Sequence, residues 1–164
     1  MDYKELELYG RKVRVYNETH IETEFRLVKD KWRQVKLSKG FDGYYYFNIR
    51  GKGTHHILKV HRLVFYAHNQ SWDIYDGSKD NIIDHINNEP LDNRIENLRN
   101  VSNTQNCWNT LKHKGYTWDN ARKKWMCRIT HNKKTIHLGR FDNEEEARNA
   151  YLTAKEKYHV IEDN

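Results

Sequence analysis

Ile82-Ile83-Asp84-His85-Ile86, then Asn93-Arg94-Ile95-Glu96-Asn97-Leu98, then Ser102-Asn103-Thr104-Gln105-Asn106, is the stretch on which the reading of this chain turns. A short apolar strand ending in Asp-His presents a hard oxygen donor beside an imidazole. The polar loop from Asn87 to Asp92 holds the only proline of the chain, Pro90. It leads to a second strand expected at Leu98-Arg99-Asn100-Val101. Ser102 is expected to cap a helix running to about Thr110, its hydroxyl satisfying free N–H groups of the first turn. That helix brings Asn106 to the site as a second oxygen ligand opposite Asp84. Two protein oxygens with open positions suit one divalent ion, Mg²⁺ first and Mn²⁺ second, which keeps waters and accepts phosphate oxygens. His85, beside them, is placed to take a proton from an attacking water.

Upstream, the chain reads as strands. Lys12-Val13-Arg14-Val15-Tyr16 alternates, and Tyr44-Tyr45-Tyr46-Phe47-Asn48-Ile49-Arg50 does so in part. Turns are signalled at Lys39-Gly40, Asp42-Gly43 and Gly51-Lys52-Gly53. Val60 to Ala67 has apolar residues at helical spacing and predicts a short helix, with His61 and Arg62 at its start. Those two side chains are candidates for phosphate contact and equally for holding the fold. Residues 69–81 are polar and turn-like.

Downstream, Lys112 to Gly115 reads as a linker. Strands are expected at Trp125 to Thr130 and Thr135 to Leu138, joined by the polar turn His131-Asn132-Lys133-Lys134. Asn143 with Glu146 three residues on makes a capping-box-like start, and Ala147, Ala150, Tyr151, Ala154 and Tyr158 form one apolar stripe. By alternation, Trp125, Cys127 and Ile129 face one way, joined by Ile136 and Leu138 against Ala147, Ala150 and Tyr151. Met126, Arg128, Thr130, Thr135 and His137 then face the other way. The fold class is therefore α+β: a strand-rich region and the Asp-His core over residues 1–111, then a small sheet-plus-helix module over 112–164.

Charge is blocked along the chain. Residues 10–70 carry 13 basic and 5 acidic side chains, residues 71–109 carry 3 and 7, residues 112–140 carry 9 and 1, and residues 141–164 carry 3 and 7. Two basic segments around an acidic one suit a protein that grips a polyanion on both sides of a metal centre. Aromatics at 13% argue against a disordered polar chain. The absence of a long apolar run argues against a membrane span, and the start Met1-Asp2-Tyr3-Lys4-Glu5 against a secretory signal. A cytoplasmic protein is expected. Cys107 and Cys127 are too few for a disulfide framework or a four-thiolate zinc site, and read as small hydrophobes. His55-His56 lacks the cysteine pair or helical His spacing of a zinc site.

The order His61-Arg62-Leu63-Val64, Asp84-His85, Asn93-Arg94, Asn97-Leu98 and Asn106 resembles the HNH nucleases of phage homing-endonuclease type, over roughly residues 30–110. The resemblance implies a ββα-metal fold, a hairpin and one helix clasping one divalent ion. It implies His85 as general base, and Asp84 and Asn106 as metal ligands. Asn97 would bond across the hairpin loop to hold His85 in place. Asn106 stands where many members carry histidine, a variant familiar in the phage subgroup. The activity implied is phosphodiester hydrolysis in double-stranded DNA, leaving a 5′-phosphate and a 3′-hydroxyl.

Gly115-Tyr116, Lys124-Trp125, His137-Leu138-Gly139-Arg140-Phe141-Asp142 and Glu145-Glu146-Ala147 through Ala150-Tyr151 resemble the Apetala-two/ethylene-response DNA-binding domain, over about residues 113–158. There a three-stranded sheet lies in the major groove with a helix behind it. With the sheet in the groove, strand alternation puts Arg128, Thr130 and His137 on the groove face, and Arg122, Lys123 and Lys124, on the turn before the strand, are expected at phosphates. Arg128 is the best base reader, since a guanidinium pairs with both guanine acceptors. No obligate protein partner is evident in the sequence. Two other readings stand beside the nuclease: a DNA-binding regulator with a relict nuclease core, and an RNA-acting protein using the aromatics of Tyr44 to Phe47.

Overall fold

The computed structural model describes residues 2–24, 27–51, 53–109 and 114–161. The chain divides into two compact units, Met1–Asn103 and Thr104–Asn164. The expected helix end at Thr110 and the first half of the expected linker, Lys112 and His113, lie outside the described residues.

The first unit opens with four short strands, β1 (Lys4–Leu8), β2 (Arg11–Val15), β3 (Ile21–Glu24) and β4 (Trp32–Gln34), which form one antiparallel sheet in sequence order. Alternation decides its faces: Leu6, Leu8, Val13, Val15, Ile21 and Thr23 point inward, with charged residues between them. β1 was not expected from sequence, because Lys4-Glu5-Leu6-Glu7-Leu8 offers only two apolar residues to an alternation test. A second sheet holds β5 (Ser38–Lys39), β6 (Tyr45–Gly51) and β7 (Thr54–Lys59). A Cβ on Gly51 would collide with the Tyr9 backbone carbonyl, so this close approach of hairpin to first sheet admits only glycine.

Helix α1 (Val60–His68) follows β7 directly and buries Val60, His61, Leu63, Val64 and Ala67. Its apolar members pack with Phe47 and Ile49 of β6, the inward apolar residues of the first sheet, Trp72, Ile74, Ile83 and Leu98 into one core. β8 (Ile82–His85) and β9 (Leu98–Val101) form a two-stranded antiparallel ribbon, each giving one apolar residue, Ile83 and Leu98, to that core. Helix α2 (Asn103–Asn109) starts on the last residue of the first unit, one position after Ser102, and the rest of it belongs to the second.

In the second unit β10 (Tyr116–Asp119), β11 (Lys124–His131) and β12 (Lys134–Phe141) form an antiparallel sheet, covered by α3 (Glu144–Tyr158). The β11–β12 turn has positive φ at Asn132 and Lys133, the backbone twist that a two-residue hairpin loop demands. Cys127, Ile129, Ala147, Tyr151 and Ala154 form its core, with Trp125, Ile136, Leu138 and Phe141 packed around them. Cys127 pairs with Gly139 but Arg128 pairs with His137, so Leu138 is the extra residue of a β-bulge. Gly139 at φ 143 carries the backbone through it, and both Leu138 and Phe141 reach the core despite opposite parity. Asn143 caps α3, its side-chain oxygen accepting from the Glu146 N–H at 2.8 Å, with Glu144, Glu145 and Glu146 in the positive first turn. Asn143→Ala should therefore lower the stability of this unit by roughly 1 kcal/mol. A urea midpoint identical to that of the wild type would show that the cap contributes nothing.

Candidate active site

The site is built on the β8–β9 ribbon. Pairing sets Asp84 opposite Arg99 and His85 opposite Leu98. Asp84 and His85 are both buried, at 8% and 5% exposure, although each is polar. Burial of this kind is tolerated only with partners in place. The Arg99 guanidinium donates through Nε and Nη2 to Asp84 Oδ2, at 3.1 and 3.0 Å.

The loop between the strands is tied by its own side chains. Asn97 ends a single 3₁₀ turn, Ile95–Asn97, immediately before β9. Its amide donates to Asn87 Oδ1 and the Asp92 carbonyl, and its Oδ1 accepts from the Asn87 N–H. The Asn97 carbonyl accepts from the Ile86 N–H at 2.9 Å. Arg94 grips Asp92 with both Nε and Nη2 at 2.7 Å, and those hydrogen bonds hold the Asp92 carboxyl down to about 2. Asn97 thus ties the two sides of the loop together. The contact with the His85 ring is made by a different residue: Asn93 Oδ1 lies 2.9 Å from His85 Nε2, and Asn93 is only 1% exposed.

Two more rings wall His85. His61 meets it edge to face at 5.0 Å, and Tyr44 lies 5.9 Å away. Burial first, and the neighbouring cations Lys59 and Arg62 in addition, push the His61 imidazole down to about 3. His61 is therefore neutral and covered. Arg62 turns inward as well, donating to the carbonyls of Asn81, Ile74 and Asp76 and lying over the Trp72 ring at 4.7 Å. Neither position supports the phosphate contact expected of these two residues. Lys59, by contrast, stands over the Tyr44 ring at 3.8 Å and pairs with Asp42 at 3.1 Å, a cation next to the site that spacing alone did not single out.

Asn106 sits in α2, in the second unit, where Trp108 of the same helix stacks face to face on His159 at 4.8 Å. Of the residues expected at DNA, Arg122 and Lys123 are exposed on the β10–β11 turn, and Lys124 opens β11. Arg122 is paired with Asp119 and Lys124 with Asp142. Arg128 and His137 are register partners on the exposed face, and Thr130 faces Thr135 with hydroxyls 3.3 Å apart. Among the described residues, no group of three or more His, Cys, Asp or Glu side chains converges as a metal cage. The oxygen donors present, one carboxylate and neutral amides, have the chemistry of a hard ion that draws its other ligands from water and phosphate.

No helix among the described residues is long and apolar enough to cross a membrane. No curated protein matches the chain. The solved structure titled "DNA binding and cleavage by the HNH homing endonuclease I-HmuI" aligns with a TM-score of 0.51 at 20% identity, covering 84% of this chain and 77% of that one. At that identity the likeness is one of fold: a strand-rich chain with small antiparallel sheets and three helices. The family model for HNH endonuclease matches residues 58–107, from the end of β7 to α2, the segment that holds His61, Asp84, His85, Asn93 and Asn97. HNH nucleases typically use a divalent metal, and the part of this chain that is similar to them is the segment 58–107 around the Asp84-His85 pair.

Proposed function

We propose that this nuclease hydrolyses phosphodiester bonds of double-stranded DNA with one divalent ion, Mg²⁺ or Mn²⁺, in the manner of the phage homing enzymes. The observation that carries the reading is the buried Asp84-His85 pair at the end of β8, its imidazole held at Nε2, inside the segment that matches the HNH family. His85 takes the proton of a water that attacks phosphorus in line. The new P–O bond forms as the P–O3′ bond breaks, and the leaving 3′ oxygen takes a proton from a solvent water, giving a 5′-phosphate and a 3′-hydroxyl. Asp84, with Arg99 on its Oδ2, would hold the ion, and Asn106 is the second ligand that the resemblance implies. When bound, it supplies Lewis-acid stabilisation of the charge that develops on the phosphate and the leaving oxygen. Asn97 keeps the loop in shape around the base.

In this reading residues 1–111 cut and residues 112–164 position the protein on the duplex. The exposed Arg128, Thr130 and His137 on one face of the β11–β12 pair support that role, with Arg122 and Lys123 exposed on the β10–β11 turn and Lys124 at the start of β11. Arg128 is the base reader, and the others make phosphate and groove contacts. The test is supercoiled plasmid incubated with the protein in Mg²⁺, in Mn²⁺ and in EDTA. Nicked or linear product that appears with either metal and vanishes in EDTA is expected. A protein that retards duplex DNA in a gel and never cuts it with any divalent ion would instead be the DNA-binding regulator.

A further inference from the structure

Tyr44 stands immediately before β6, and the turn ahead of it fixes its backbone. Its N–H donates to Asp42 Oδ1 at 3.3 Å, and its carbonyl accepts from the Gly40 N–H at 2.9 Å. Neighbours on several sides then hold the ring. The Lys59 ammonium lies over it at 3.8 Å, itself anchored on Asp42 Oδ2 at 3.1 Å, and the Tyr46 hydroxyl donates to that same oxygen at 2.6 Å. The His61 and His85 rings stand 5.1 and 5.9 Å away. Burial raises the pKa of the Tyr44 phenol, and the carboxylates of Asp42 and Asp84 raise it further. The phenol is thus a half-buried donor that keeps its proton beside the Asp84-His85 pair.

The arginines around the site are committed within the fold. Arg62 closes on three backbone carbonyls, Arg94 on Asp92 and Arg99 on Asp84. His61 is buried and neutral. The hydroxyl of Tyr44, by contrast, takes part in no hydrogen bond among the described residues. A phosphate oxygen that gains charge in a transition state is best stabilised by a donor held in place beforehand.

We propose that Tyr44 is a further catalytic residue: its phenol donates a hydrogen bond to a non-bridging oxygen of the scissile phosphate, while Lys59 and Asp42 keep its ring in position. This deepens the nuclease reading and rests on it. The phenol retains its proton throughout, so the bonds made and broken in the hydrolysis are the same. What it supplies is a partner for the charge on the phosphate oxygens.

The test is a pair of hydroxyl deletions on neighbouring residues. Tyr44→Phe removes one oxygen and leaves the ring between Lys59 and the two imidazoles, so its urea midpoint should match the wild type. Its kcat for metal-dependent plasmid nicking should fall about 10- to 100-fold, the worth of one hydrogen bond to a charged group. Affinity for duplex DNA, measured by gel retardation in EDTA, should be unchanged. Tyr45→Phe, whose side chain packs against the core of the first unit, should nick at the wild-type rate. A Tyr44→Phe protein with the wild-type kcat would overturn the proposal, as would a Tyr45→Phe protein that loses as much. Both results require a wild type that cleaves. A wild type that never cleaves with any divalent ion is instead the failure of the nuclease reading itself.

Discussion

His85→Ala should lower metal-dependent cleavage by about 10²–10⁴-fold, the usual contribution of a positioned general base, and leave DNA affinity nearly unchanged. The direction follows from what the side chain touches. His85 is 5% exposed and bonded to Asn93, so it offers little surface for holding a duplex, while its position beside Asp84 suits proton transfer. Binding should survive because the exposed cations of the chain are elsewhere. The substitution also removes the donor that satisfies Asn93 Oδ1, which costs about 1–3 kcal/mol of stability when an acceptor is left buried. Rates are therefore compared at a temperature where circular dichroism shows both proteins folded. His85→Gln, which retains an amide donor, separates the two effects: it should recover stability and not activity. A His85→Ala protein that nicks plasmid at the wild-type rate would remove His85 from the chemistry altogether.

Phe47→Ala should destabilise the first unit by about 3–5 kcal/mol, through lost transfer energy and the cavity left behind. Phe47 is fully buried and is the largest such side chain among the described residues. It lies in the core that joins the first sheet, β6, α1 and the β8–β9 ribbon, so few neighbours are free to collapse into the gap. The paired control is Phe41→Ala. The Phe41 ring is fully exposed, and a surface change of this sort shifts stability by no more than about 0.5 kcal/mol. Equilibrium urea unfolding measures both. Equal midpoints for the two variants would mean that Phe47 does not occupy the core as described.

The two experiments probe features that differed in how far sequence exposed them. Phe47 lies in a stretch of alternating aromatics read as a strand, and the strand is there, but which face was core depended on α1 and the first sheet. His85 was singled out because Asp84-His85, Asn97 and Asn106 stand at the spacing of the HNH nucleases the sequence resembles. Its ring partner was not. Asn93 has the profile of a turn residue, and only the ties on Asp92 and Asn97 turn its amide onto the imidazole. Arg62 shows the converse. Its place at a helix start beside a basic segment suggests phosphate, yet its guanidinium closes the 74–81 loop onto α1 through three carbonyls.

Local chemistry was enough for the elements whose signals lie within a few residues of each other. The alternation of β2 and of the β11–β12 strands, the apolar spacing of α1, and the Asn143 cap and alanine stripe of α3 are all of this kind. Each depends on backbone geometry with a short period, which neighbouring residues encode directly. Tertiary structure alone decided the partners: Asn93 on His85, Arg99 on Asp84, His61 against the His85 ring, and the bulge that turns Leu138 and Phe141 to one core. These depend on how strands register and where a buried polar group finds its complement, and a buried donor takes whichever acceptor the packed chain leaves within about 3 Å.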